Sequence, residues 1–152
     1  MRNVDDLDPL DHAIMSALSR NGRLSNVELA AEVGLTPAPC LRRVKRLESI
    51  GAILGYRARI DPVTAGRSFC VYTSVQVTMT SREVVEQFEQ TVASYEEVTE
   101  MRRVYAEVDY FLRVEVAASD AYERFLAEKM YPMPGVHRMV SHSTMKTIKS
   151  TM

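Results

Sequence analysis

The stretch Leu35–Tyr56, LTPAPCLRRVKRLESIGAILGY, sets two prolines and a cysteine directly before a run of arginines. Thr36-Pro37 reads as a helix cap followed by the first helical position. Pro39 still lies in the first turn, where the backbone N–H has no intrahelical partner to lose. Leu41, Val44 and Leu47 then share the buried face of a helix, with Cys40 beside it, and Gly51 closes the helix. At about 100° per residue, Arg42 and Arg46 point away from that face. Arg43 and Lys45 flank them, and Ala38, Pro39 and Ser49 complete the outer side.

Upstream, Asp8-Pro9 is a cap and first helical position, and Leu10, Ala13, Ile14, Ala17 and Leu18 recur at helical spacing until Asn21-Gly22. Ser25 and Glu28 form a capping-box pattern for a second helix that Gly34 ends. Three short helices with a tight turn at Gly34 between the last two make a helix-turn-helix.

Charge supports a nucleic-acid role for the third helix. The whole chain has a formal net charge of −1. Between Leu35 and Ile60, however, Arg42, Arg43, Lys45, Arg46, Arg57 and Arg59 face Glu48 alone, which is the footprint of a local polyanion contact. Arginine forks can grip a guanine edge or a phosphate. Small Ala38 and Pro39 permit close approach to a groove floor, and the Thr36 hydroxyl can bond a phosphate. The predicted DNA-binding set is Thr36, Ala38, Pro39, Arg42, Arg43, Lys45 and Arg46, on double-stranded DNA. A catalytic Cys40 thiolate is the competing reading. Its place near the buried face and the absence of a nearby histidine argue for a packing residue.

After Gly51 the periodicity changes. Ile53–Ile60 reads as extended and Asp61-Pro62 ends it, so the domains are set at 1–62 and 63–152, with Gly66 as a hinge. Phe69–Thr78 alternates as a strand, Ser81–Ser94 is helical, and Val98–Val104 and Tyr110–Val116 are strands. Ser119–Met130 is a helix with Tyr122, Phe125 and Leu126 inward, and Val136–Lys149 is a last strand. The order βαββαβ is ferredoxin-like, so the fold class is α+β. No apolar run approaches the roughly 20 residues of a membrane span. Two cysteines make no disulfide framework, which with the acidic N-terminus points to the cytoplasm. No catalytic constellation or metal motif stands out: His137 and His142, five apart on a strand, face opposite sides.

The segment from Leu7 to Pro62, with the pattern from Gly34 to Gly51, resembles the DNA-binding half of the Lrp/AsnC transcription regulators. "EVDYFLRVEV", "MPGV" and "TMKTIK" resemble their second half, so the likeness covers nearly the whole chain. It implies a winged helix-turn-helix joined to a ferredoxin-like domain. It also implies homodimers formed by pairing sheets, tetramers, octamers or hexadecamers built from them, and an amino acid or related metabolite bound between dimers. No other cofactor is implied. The family's ligand loop matches "YAEVDY", where Ala106 replaces the usual glycine, Glu107 takes the acidic place and Asp109 the aspartate place, beside Tyr105. Alanine restricts the loop where glycine would not. Asp109 either pairs with a ligand ammonium or bonds backbone as a turn residue. Ser141 and Thr144 are further candidates for a polar wall contributed by a neighbouring subunit. Two alternatives stay open: an architectural DNA binder without effector, and a metabolite-binding ferredoxin-like domain whose N-terminal helices serve assembly.

Overall fold

The computed structural model describes residues 7–78 and 81–149. The chain divides between Ala58 and Arg59 into two compact units. No helix among the described residues is long and apolar enough to cross a membrane.

The first unit holds three helices: α1 (Pro9–Arg20), α2 (Asn26–Glu32) and α3 (Pro37–Ser49). Both N-terminal signals become capping boxes. Asp8 accepts from the Asp11 amide while Asp11 accepts from Asp8, and Ser25 and Glu28 reciprocate in the same way. The turn between α2 and α3 is tight: the Leu35 amide donates to the Ala30 carbonyl at 2.8 Å, and Gly34 adopts φ +72°. That backbone is left-handed, where a Cβ is penalised, so glycine is the residue that permits the turn. Asn26 Nδ2 donates to the Pro37 carbonyl at 2.7 Å and ties the starts of α2 and α3 together. Ile14, Ala17, Leu29, Ala30, Cys40 and Leu47 form the core.

One expectation for this unit is corrected. Leu41 is 43% exposed, and Cys40, with no exposed surface, takes its place in the core. The stripe that packs is therefore Cys40, Val44 and Leu47, at spacings of four and three. Residues 53–60, expected to be extended, form no strand among the described residues, and 54–60 are exposed.

The second unit is a four-stranded antiparallel sheet of β1 (Phe69–Val77), β2 (Val98–Arg103), β3 (Tyr110–Val116) and β4 (Val136–Ser143), in the order β2-β3-β1-β4. Helices α4 (Arg82–Ala93) and α5 (Ser119–Phe125) supply the rest of its core. The alternation in β1 and β3 sends Val71, Thr73 and Val75 and Tyr110, Leu112, Val114 and Val116 inward against Phe88, Val92, Tyr122, Phe125 and Met130. Each such apolar side chain contributes about 1.5–3 kcal/mol by leaving water. Polar groups in this layer are satisfied: Tyr122 Oη bridges Thr73 Oγ1 at 2.7 Å and Ser141 Oγ at 2.6 Å, and Tyr110 Oη donates to Glu89 Oε1 at 2.8 Å. On the opposite sheet face Tyr72, Phe111 and Val140 remain exposed.

Helix α5 is shorter than expected. It passes at Leu126 into a π-helical turn, Leu126–Met130, in which the Tyr131 amide reaches back to the Leu126 carbonyl at 2.8 Å. The widened turn still places Met130 wholly in the core. Strand β4 stops at Ser143, not at Lys149: its ladder with β1 ends at the Val71–Ser143 pair, and past it the Thr144 amide still donates to the Cys70 carbonyl at 3.1 Å.

Candidate DNA interface and effector loop

Thr36 occupies the N-cap of α3 without a side-chain capping bond, so its hydroxyl takes no part in ending the helix. Along the outward line of α3 stand exposed Ala38, Arg42, Lys45 and Ser49, with half-buried Pro39 beside them. Arg42 and Lys45 have no ion-pair partner among the described residues and carry the positive charge of this face.

Arg43 and Arg46 behave differently. Asp11, on α1, is fully buried, and its two carboxylate oxygens accept from Arg43 Nη1 at 2.8 Å and Arg46 Nη1 at 3.0 Å. Arg43 Nη1 also lies 2.7 Å from Asp8 Oδ2. The expectation that Arg46 points outward is therefore corrected: Arg42 and Lys45 form the outward pair, and Arg46 joins Arg43 on the flank that meets α1. Burial works against the Asp11 charge, but hydrogen bonds from Arg43 and the Asp8 amide outweigh it, so its pKa falls below the ordinary 3.8. The bond to Asp11, then that to Asp8, raises the Arg43 pKa. A buried carboxylate is stable only when paired in this manner. Sequence reading missed Asp11 altogether. The available signal was its place three residues before Ile14, on the stripe that packs inward.

Cys40 is buried, and burial alone pushes its thiol pKa up. That is the opposite of activation.

The predicted effector residues separate into three places. Tyr105, Ala106, Glu107 and Asp109 share the loop between β2 and β3. Tyr105 stands wholly in solvent and narrows no cavity around the loop. No described non-glycine residue has positive φ, so Ala106 sits in ordinary backbone and the loop closes without glycine there. Asp109 is tied to β1: its Oδ2 accepts from the Val77 amide at 2.8 Å, and its own amide donates to the Val75 carbonyl at 3.0 Å. Gln76 Nε2 donates to the Glu107 carbonyl at 2.7 Å and pins the loop again. A shallow cavity of about 220 Å³ lies alongside, lined by Ser74, Gln76, Glu107, Val108, Arg138, Val140 and His142. Ser141 lies instead on the helix-covered face, bonded to Tyr122. Thr144 follows β4 at the far end of β1, where its amide meets the Cys70 carbonyl. Within one chain, neither Ser141 nor Thr144 meets the loop.

Comparison with known proteins agrees with this two-part build. The model of the AsnC-type helix-turn-helix domain matches residues 7–48, and that of the Lrp/AsnC ligand binding domain matches residues 70–152. The leucine-responsive regulatory protein of Escherichia coli K12 is 38% identical over 146 residues, spanning 96% of this chain and 89% of that protein. A crystal structure of a transcriptional regulator from Neisseria meningitidis in complex with L-methionine superposes with a TM-score of 0.91 at 32% identity, covering 95% of this chain and 93% of that one. An AsnC family regulator from Agrobacterium tumefaciens gives 0.90 at 33% identity, covering 95% and 94%. These relatives are transcription regulators, not enzymes, and the chain belongs to the Lrp/AsnC family of DNA-binding regulators.

Proposed function

We propose that the protein is a sequence-specific transcription regulator whose α3 enters the major groove and whose second domain senses a free amino acid. The observation that carries the DNA half is the outward face of α3. Arg42 and Lys45 project from it without ion-pair partners among the described residues, Thr36 keeps a hydroxyl that capping does not use, and Ala38 and Pro39 leave the helix start slim. Arg42 is the base reader, Lys45 and Thr36 meet phosphates, and a recognition helix docked in this way contacts bases near its N-terminus. Arg43 and Arg46, held by Asp11, support the helix and do not read the groove.

The effector is a small amino acid with an apolar side chain, consistent with relatives described as leucine-responsive or bound to L-methionine. Glu107 and Arg138 line one cavity, so both charges of a zwitterion have a counterpart there. The face bearing Tyr72, Phe111 and Val140 pairs with a second copy of the chain. The resulting homodimer matches a two-fold operator, and dimers assemble further into tetramers or octamers. The two free cysteines suit a cytoplasmic setting.

Titration of a DNA duplex containing the protein's own promoter at several salt concentrations tests the reading. Log affinity falls linearly with log salt if several phosphates are neutralised. Absence of binding to this and to random duplex refutes it. For the effector, a screen of free amino acids by thermal shift gives a raised midpoint with at least one apolar member. No shift with any of them favours an architectural binder without effector, a reading supported by the commitment of Asp109 to the Val77 amide.

A further inference from the structure

We infer that Asp11 sets DNA specificity by withholding Arg43 and Arg46 from phosphates. The inference rests on the reading of α3 as the DNA-facing helix. Helix α3 carries four cations, and two of them converge on one carboxylate that has no exposed surface. Asp8 adds a second carboxylate to Arg43 at 2.7 Å, and the Asp8 amide holds Asp11 Oδ2 at 3.2 Å. The anions come from the first turn of α1, and the cations lie on the flank of α3, next to its outward line. Their side chains are 28% and 42% exposed, so both guanidiniums lie at the surface, where a polyanion beside the helix competes with the carboxylates that hold them.

Every cation that reaches a phosphate strengthens binding to all sequences equally and carries no sequence information. A helix with four free cations would hold random DNA tightly. With two of them clamped, the outward Arg42 and Lys45 dominate the contact, and the ratio of specific to random affinity rises. In this scheme Asp11 touches no base. It acts on recognition through the arginines that it holds.

The test is the salt dependence of binding by the full chain, with Asp11→Asn compared to wild type. The probes are a random-sequence duplex and a duplex that the wild type selects from a random pool. Asparagine keeps the shape and removes the charge that retains the arginines. The expected result is tighter binding to the random duplex at low salt and a steeper slope of log affinity against log salt, by about 0.9 for each arginine released. The variant's advantage over wild type then shrinks about 3.5-fold per released arginine between 50 and 200 mM salt, or about 12-fold for the pair. A support role alone would weaken binding to both duplexes and leave the slope unchanged, and that outcome in a folded variant overturns the inference. If Asp11→Asn does not fold, Arg43→Gln decides: an unchanged slope is expected, and a slope shallower by about 0.9 overturns it. Arg42→Ala is the companion control. If it alters neither affinity nor slope, α3 is not the DNA face, and the inference falls with that reading whatever Asp11→Asn does.

Discussion

Removing the carboxylate of Asp109 separates the two roles that its position allows. Its Oδ2 accepts the Val77 amide at 2.8 Å, across the end of β1, and the residue is only partly exposed. A hydrogen bond to a charged acceptor contributes about 1.5–3 kcal/mol. Asp109→Ala loses that bond, so a loss of about 2 kcal/mol is expected for the second domain without any ligand present. Asp109→Asn keeps an acceptor oxygen and should lose less than about 1 kcal/mol. The assay is urea unfolding followed by tyrosine fluorescence. The chain has no tryptophan, and every tyrosine except Tyr56 lies beyond Arg59, so the signal reports this domain. With a urea dependence of about 2 kcal/mol per molar, the Asp109→Ala midpoint falls by about 1 M. A midpoint within about 0.2 M of wild type would refute the structural role and return Asp109 to the ligand. A ligand-induced shift kept by Asp109→Asn and lost in Asp109→Ala would show that one oxygen serves both tasks.

Other consequences concern the first domain and the overall acid response. Gly34→Ala forces a Cβ into φ +72°, and no atom lies within 4 Å of that Cβ, so the effect is purely backbone, about 1–2 kcal/mol. An unchanged unfolding midpoint would contradict it. Asp8, Asp11, Glu28, Asp61, Glu83 and Glu97 all titrate below their ordinary values of 3.8 for aspartate and 4.5 for glutamate. The stability they contribute is therefore complete above those values and lost as pH falls through the lower folded ones. The thermal midpoint should be flat from about pH 7 to 5 and drop below about pH 4, and a flat profile down to about pH 2 would contradict the pairing of these carboxylates. Cys40, buried and with its thiol pKa raised, should react with a thiol reagent only as fast as the protein unfolds. Rapid native labelling mapped to Cys40 would show an open core.

Most of the fold was legible because local signals and tertiary demands agree. The caps at Asp8 and Ser25, the turn at Gly34 and the alternation in β1 and β3 each name one backbone answer. What was not legible depends on partners far along the chain. Leu41 and Cys40 are both apolar and adjacent, and only packing against Ile14 and Leu29 decides between them. The ionic clamp joins residues 32 and 35 positions apart. An aspartate in a first helical turn reads as an ordinary dipole partner until its arginines are seen. The end of β4 depends on how far its ladder with β1 reaches, and the π-turn at Leu126 leaves no periodic trace in a stretch this short. For the candidate site, the helix was readable and the direction of Arg46 was not. The effector loop was readable as a loop, whereas the tie from Asp109 to Val77 was not.

The central claim is that α3 reads DNA through Arg42. The most direct measurement is the affinity of Arg42→Ala for a selected duplex and for random duplex at one fixed salt concentration. Base reading predicts a loss of about 1–3 kcal/mol on the selected duplex, a much smaller loss on random DNA, and relaxed preference at one base position. Equal loss on both duplexes would show that Arg42 meets only phosphate, and no loss on either would remove α3 from the interface.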